Sequence, residues 1–323
     1  MKAIVQDTYG LPEVLRLEEI ERPVPGRGEV LVRVHAAAVD MGVWHLMAGM
    51  PYLVRAMGFG LRAPKTRVPG MDVAGRVEAV GADVTRFRPG DEVYGSCNGS
   101  FAEYACAKEG RLAHKPGNLD FEQAAAVPVS ACTALQAVRG GRLQAGQTVL
   151  VIGASGGVGT FAVQLAKAFG AHVTGVCSTA KADLVRSIGA DEVIDYTRED
   201  PTDGTRRYDL VLDIAGNRSL SRLRRALTPR GTLVIVGGEE GGRWIGGNDR
   251  QLRALLLSPF VGQRLRGLVA MEKHADLKIL GELLEAGSVT PVIDRTYPLA
   301  QVPDAISYLM AGHARGKVVV RVQ

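Results

Sequence analysis

A run of apolar residues, Val149-Leu150-Val151-Ile152, passes directly into Gly153-Ala154-Ser155-Gly156-Gly157-Val158-Gly159, and apolar residues then recur at helical spacing through Phe161, Ala162, Leu165 and Phe169. A glycine turn between a strand and a helix lets the backbone approach a pyrophosphate closely. The first N–H groups of the helix, with its dipole, then hold the anion. Against the pattern GxGxxG the segment reads Ala154-x-Gly156-x-x-Gly159, with alanine in place of the first glycine. Ala154, Ser155, Gly156, Gly157, Val158 and Gly159 are therefore the expected contacts to a dinucleotide's diphosphate. Glycine turns before helices also serve structure alone, but here strand, loop, helix and second strand follow in the order that binding requires.

The end of the second strand selects the dinucleotide. An NAD site usually carries Asp or Glu there, about twenty residues past the glycines, to hold the ribose 2′-hydroxyl. This chain has Cys177-Ser178-Thr179-Ala180-Lys181 instead. Hydroxyls with a cation suit a 2′-phosphate, and the missing carboxylate removes a repulsion. Ser178, Lys181 and, after the third strand, Tyr196 are the expected phosphate contacts, and NADPH is the expected cofactor. The plainer alternative has Ser178 or Thr179 capping a helix and Lys181 simply in water. Gly216 and the pair Gly237-Gly238 end the fourth and fifth strands, on the side where open parallel sheets hold ligands, although tight turns alone would also require glycine there.

These residues need a frame, and the texture of the chain supplies one. Between about residue 148 and residue 236, short continuous apolar runs (His172–Cys177, Thr232–Val236) alternate with amphipathic stretches, the pattern of a parallel sheet covered by helices on both faces. Before about residue 115, short alternating runs lie between the turns Pro25-Gly26, Pro69-Gly70 and Pro89-Gly90, which predicts a small antiparallel barrel. The tail from residue 289 returns to that texture. The expectation is an α/β chain: a barrel domain built from residues 1–122 and 270–323, with a doubly wound nucleotide-binding domain, residues 123–269, inserted into it.

Composition removes several classes. Among the 323 residues, 46% are hydrophobic and only 5% aromatic, and the net charge of +5 comes from scattered arginines. A nucleic-acid module gathers its charge beside stacking aromatics, so no nucleic-acid partner is expected. No apolar run approaches the roughly 18 residues of a membrane span, and the N-terminus reads as a strand rather than a signal peptide. A cytosolic location is expected. Cys97, Cys106, Cys132 and Cys177 show no metal or redox spacing and read as isolated, mostly buried thiols.

Further segments carry a family resemblance over nearly the whole length. They are Arg88-Pro89-Gly90-Asp91-Glu92-Val93, Gly99-Ser100-Phe101-Ala102-Glu103-Tyr104, Ala124-Ala125-Ala126-Val127-Pro128, the turn Gly153–Gly159, Leu184-Val185-Arg186-Ser187-Ile188-Gly189-Ala190-Asp191, and Gly312-His313-Ala314-Arg315-Gly316-Lys317-Val318. In these the chain resembles the medium-chain dehydrogenase/reductase superfamily, in its zinc-free quinone oxidoreductase branch. The resemblance implies a GroES-like β-barrel domain interrupted by a Rossmann domain. Places that match zinc ligands in metal-dependent relatives carry Asp40, Met71-Asp72 and Val129, which are not three good donors, and the four-cysteine structural zinc lobe is missing, so no metal is expected.

What the resemblance implies for function is an NADPH-dependent oxidoreductase. It would transfer hydride to an apolar quinone or α,β-unsaturated carbonyl that needs no Lewis acid. Asp40, His45 and Tyr52 are the candidate substrate or proton-handling groups. Asp40 departs from the family's Asn and helps developing negative charge only when protonated. Thr133 matches a position beside the nicotinamide, and Arg315 and Lys317 positions near the cofactor. A homodimer is expected, and residues 52–67, which mix Met, Phe and Leu with basic residues, read as a lid or as a surface helix. The rival readings are a metal-free NADP-linked alcohol dehydrogenase or carbonyl reductase, and a catalytically weak NADPH-sensing or structural protein.

Overall fold

Two textures in the sequence become two compact units in the computed structural model, which describes residues 1–216, 218–238 and 242–323. One unit comprises Met1–Cys132, Met271–Gly287 and Pro291–Gln323, the other Thr133–Ala270 with Ser288–Thr290.

In the first unit, strands β1 (Lys2–Val5) and β2 (Arg16–Glu19) form an antiparallel pair. A seven-stranded sheet holds β3 (Glu29–Val39), β4 (Asp72–Val80), β5 (Glu92–Ser96), β6 (Tyr104–Lys108), β7 (Leu112–His114) and, after the second unit, β14 (Ile293–Pro298) and β15 (Lys317–Arg321). Its order is β14-β15-β3-β4-β5-β7, with β6 added on β3. The long β3 does this by bending. Its first half pairs with β6, its second half pairs with β15, and the register on β4 shifts twice along it. Bulges of this kind bend a strand and raise its twist, which curls a sheet toward a barrel. Val30, Val32, Val34, Val73, Val77, Val93 and Leu112 fill the interior. The pair β14/β15 is parallel, because α10 (Val302–Met310) crosses between the two strands.

The same unit carries α1 (Met41–Ala48), the short α2 (Tyr52–Val54), α3 (Phe121–Ala125), the start of α4 (Pro128–Gly140) and α9 (His274–Glu285). The sequence boundary at 122 lies earlier than the division seen here. The ring of Phe121 stacks on His35 at 4.2 Å, and Glu122 pairs with Arg321 and accepts from the Thr296 hydroxyl, so α3 stays with the barrel strands. α9 is held there too, by the Tyr94 hydroxyl donating to Leu277 O at 2.6 Å.

In the second unit, β8 (Thr148–Ile152), β9 (His172–Cys177), β10 (Glu192–Asp195), β11 (Tyr208–Asp213), β12 (Leu227–Ile235) and β13 (Arg264–Gly267) form a wholly parallel sheet in the order β10-β9-β8-β11-β12-β13. The chain winds outward from β8 through β9 to β10, then returns to β11 on the other side. Helices α5 (Gly157–Ala168), α6 (Ala182–Ser187), α7 (Leu220–Arg225) and α8 (Asn248–Leu257) lie between the strands in sequence. Leu150, Ile152, Val176, Val211, Leu233 and Ile235 are buried in one core, which is why these runs lack polar alternation. The sixth strand, β13, was not read from the sequence, since Arg264-Leu265-Arg266-Gly267 buries only Leu265.

Candidate functional site

In the second unit, strand order reverses between β8 and β11, and the crevice at such a switch point is where open parallel sheets hold dinucleotides. The turn leaving β8 is built for close approach. Gly153 has φ +89°, a left-handed conformation that only glycine adopts without strain. A Cβ on Gly159 would lie 2.0 Å from Gly153 O and 2.8 Å from the backbone of Ala154, so this position admits no side chain. Gly156 caps α5 with no side-chain bond, which leaves the first N–H groups of a twelve-residue helix without partners of their own. A diphosphate fits that donor set.

The alanine in place of the first motif glycine has a structural counterpart. A Cβ on Gly175 of β9 would stand 3.1 Å from the Ala154 methyl and 2.4 Å from Val185 of α6. The side chain gained in the turn is matched by one withheld from the neighbouring strand.

The exits of β9 and β10 lie side by side, Cys177 pairing with Asp195. Ser178 caps a single 3-10 turn, Thr179–Lys181, and half-exposed Tyr196 donates its N–H to Cys177 O at 3.1 Å. One carboxylate is present here, and the sequence reading did not single it out. Asp195 Oδ1 accepts from the Thr197 N–H at 3.0 Å and the Thr197 hydroxyl at 2.7 Å. Its Oδ2 accepts a short bond from the Thr179 hydroxyl and faces Arg198 Nε at 3.5 Å. The Thr179 and Thr197 hydroxyls hold this carboxyl below its ordinary range. Of about four acceptor sites on a carboxylate, three are filled on Asp195 by Thr179 and Thr197, and Arg198 stands beside the remaining one.

At the ends of β11 and β12 the glycines answer to crowding. A Cβ on Gly237 would meet Ile214 O at 1.9 Å, and one on Gly216, where φ is +72°, would lie 2.7 Å from the backbone of Gly237 and Gly238. Arg250 bonds both the buried Asp213 carboxylate and Gly216 O. Burial pushes the Asp213 carboxyl upward, against the pull of that guanidinium. Thr133 lies on α4, at the start of this unit.

In the first unit, the candidate polar groups gather around the start of α1. Asp40 caps that helix, its Oδ1 accepting from Val43 N at 3.1 Å, while its Oδ2 is buried without a hydrogen-bond partner. Asp72, at the start of β4, is fully buried. It accepts from Val129 N at 2.7 Å and from the Lys317 ammonium at 3.0 Å, and that ammonium also donates to Ser130 Oγ at 3.1 Å. Burial raises the Asp72 carboxyl to about 7, Lys317 opposes the rise, and the Asp40 charge adds to it. The family resemblance implies a cofactor contact for Lys317. The structure instead buries it as the pin joining the starts of β4, α4 and β15. Arg315 is exposed, its N–H bonded to Asp294 Oδ2 at 3.0 Å.

His45 Nδ1 donates to Met50 O at 2.8 Å, since a carbonyl can only accept. The Arg55 guanidinium lies over the Tyr9 and Tyr52 rings at 4.4 and 4.9 Å and donates to Gly49 O. Past α2 the segment runs through a π-helical turn, Arg55–Phe59, and Tyr9 donates to Phe59 O and Gly60 O. Along this stretch the Met57, Phe59 and Leu61 side chains are exposed. Residues 52–67 are thus tethered at both ends, by Arg55 and Tyr9 at one and by the Arg67 guanidinium on Asp7 and Glu18 at the other, around an exposed middle.

The donor set does not suit zinc. Of the matching places, Met71 and Val129 offer no hard donor, and Asp72 is already engaged by an ammonium. Among the described residues no group of three His, Cys, Asp or Glu could hold a metal ion.

Residues 26–117 match the family model described as alcohol dehydrogenase GroES-like domain, and residues 188–320 the model described as zinc-binding dehydrogenase. The mitochondrial NAD(P)H oxidoreductase RTN4IP1 of Mus musculus is 35% identical over 100% of this chain and 89% of its own length. The chloroplastic NADPH-dependent alkenal/one oxidoreductase of Arabidopsis thaliana is 37% identical over 99% of this chain and 79% of its own. Among solved structures, the quinone oxidoreductase from Coxiella burnetii superposes with a TM-score of 0.88 at 29% identity, covering 100% of this chain and 99% of that one. An inserted parallel sheet with an uncapped glycine turn, on a GroES-like frame without zinc ligands, agrees with these likenesses, and the chain belongs to the medium-chain dehydrogenase/reductase superfamily, in its zinc-free quinone oxidoreductase branch.

Proposed function

We propose that this protein is an NADPH-dependent oxidoreductase acting on quinones or α,β-unsaturated carbonyls. The observation that carries the reading is the pairing of an uncapped helix start, whose Gly159 packs too close to the Gly153–Ala154 backbone to admit a Cβ, with a strand exit where Ser178 and Lys181 stand beside a carboxylate already taking three hydrogen bonds and facing Arg198. The Arabidopsis relative, named for NADPH-dependent alkenal/one chemistry, supports it.

When bound, the coenzyme supplies a hydride, so the protein's task is to bind, orient and supply a proton. The N–H groups opening α5 bind the diphosphate, and Ser178, Lys181 and Tyr196 bind the 2′-phosphate. Thr133, Gly216 and Gly237 line the path toward the nicotinamide. Asp40, with one oxygen tied to its helix and the other buried without a partner, is the leading candidate for handling the substrate or its proton. His45 and Tyr52 orient the acceptor.

Loss of NADPH absorbance on a panel of quinones, enones, ketones and aldehydes tests the reading. Turnover of quinones or enones with a strong preference for NADPH is expected. Tight NADPH binding with no acceptor consumed would make the protein a nucleotide sensor, and ketone rates equal to enone rates would make it a carbonyl reductase.

The working form is a homodimer in this reading. Leu252, Leu255 and Leu256 of α8 and the following Phe260 are exposed, and β13 is an edge strand with one side of its ladder open. Sedimentation of Leu255→Glu should give a monomer where the parent gives a dimer. No helix among the described residues is long and apolar enough to cross a membrane, and four free thiols support a reducing compartment such as the cytosol.

A further inference from the structure

Arg198 lies outside every motif in the sequence, yet the Asp195 carboxylate brings it to the 2′-phosphate end of the sheet. Asp195 is the last residue of β10 and pairs in register with Cys177, the last residue of β9. Its Oδ2 is shared between two segments, taking the Thr179 hydroxyl from the turn after β9 and facing Arg198 Nε from the turn after β10. The Arg198 N–H is fixed as well, donating to Asp195 O at 3.0 Å. One carboxylate therefore sets Arg198 beside the turn that carries Ser178 and Lys181.

The ion pair does not saturate this arginine. The contact uses Nε alone, and the side chain is 75% exposed. Pairs so open to water hold weakly. Asp195, for its part, is already fed by three donors from Thr179 and Thr197. A phosphate monoester carries close to two negative charges and accepts a guanidinium fork bidentately, which a single Nε contact to a carboxylate does not match.

We propose that Arg198 is a second cation for the ribose 2′-phosphate, with Asp195 as its positioning residue. The assignment rests on the NADPH reading above and names a specificity determinant within it. Asp195 then has the opposite role from a ribose-binding acid: its oxygens are occupied by the Thr179 and Thr197 donors, and it places positive charge.

Titration of NADPH and of NADH into the full-length protein and its Arg198→Ala, Arg198→Lys and Lys181→Ala variants tests this. Arg198→Ala should weaken NADPH about tenfold, the worth of one charge-assisted bond, and leave NADH within twofold. Arg198→Lys should recover part of the loss, and the salt dependence of NADPH binding should flatten in Arg198→Ala. A merely structural role would weaken both coenzymes alike and would overturn the proposal. So would unchanged NADPH binding in Arg198→Ala when Lys181→Ala loses it, which leaves the NADPH reading standing. If the parent binds NADH as tightly as NADPH and neither variant discriminates, the 2′-phosphate reading itself falls.

Discussion

The Lys317 ammonium lies 3.0 Å from Asp72 Oδ2 with both side chains buried, and it ties the last strand of the chain to the carboxylate that opens β4. Breaking a buried pair by removing one partner strands a charge and costs about 3–5 kcal/mol, whereas neutralising both costs far less. Lys317→Met should therefore destabilise the protein by that order in chemical denaturation. The double variant Asp72→Asn/Lys317→Met should recover at least half of the loss. Equal destabilisation of single and double variants would mean that packing, rather than charge, accounts for the site.

The same pair gives a pH signature. The Asp72 carboxyl is raised in the folded state to about 7 from 3.8, so the folded state binds a proton that the unfolded chain releases. Between those values stability falls as pH rises. Denaturation midpoints of the parent and of Asp72→Asn, compared from pH 4 to pH 7, should show the parent's relative stability declining toward neutrality. A constant difference across that window would contradict the shift.

Asp40 has two tasks that substitution can separate. Asp40→Ala removes the α1 cap and should cost roughly 0.5–2 kcal/mol of stability. Asp40→Asn keeps an oxygen for Val43 N and should leave stability nearly unchanged. If Asp40 supplies a proton, Asp40→Asn should still lower kcat at least tenfold with KM for NADPH unaltered. Full activity in Asp40→Asn would transfer that role to His45 or Tyr52.

The glycine turn predicts a contrast between neighbours. A Cβ on Gly156 would meet only Gly153 O, at 3.7 Å, an ordinary contact at an unstrained φ of −86°. Gly156→Ala should fold normally yet bind NADPH at least tenfold more weakly, because its methyl enters the phosphate cradle. Gly159→Ala must displace backbone at 2.0 Å and should lower stability and binding together. Circular dichroism melts beside coenzyme titrations distinguish the two.

Elemental analysis of active protein should find no stoichiometric zinc, and prolonged chelation should leave turnover unchanged. Zinc at one per chain would overturn the reading of Asp40, Met71, Asp72 and Val129.

Local pattern made β8 and β9 legible to the residue, because strands buried on both faces are continuous apolar runs, and the turn between β8 and α5 announced itself by glycine. The edge strand β13 left no such mark, since it buries Leu265 alone, between two exposed arginines. The expected boundary at 122 fell short of the division after Cys132 because Val129 N bonds Asp72 and Ser130 Oγ accepts from Lys317, contacts between residues far apart in sequence. Asp195 and Lys317 were hidden for a related reason. The first acquires its meaning from strand register against Cys177, and the second from a partner 245 positions away. Composition supplies neither.

The exchange between Ala154 and Gly175 bears on how such chains vary. A Cβ at 175 would crowd the Ala154 methyl at 3.1 Å and Val185 of α6 at 2.4 Å, so the glycine in β9 answers to the helix first and to the turn second. Changing Gly175 to alanine alone should jam β9 against α6, while reverting Ala154 to glycine alone should leave a hole. A pattern search that insists on glycine at the first site would pass over a turn that holds a methyl there.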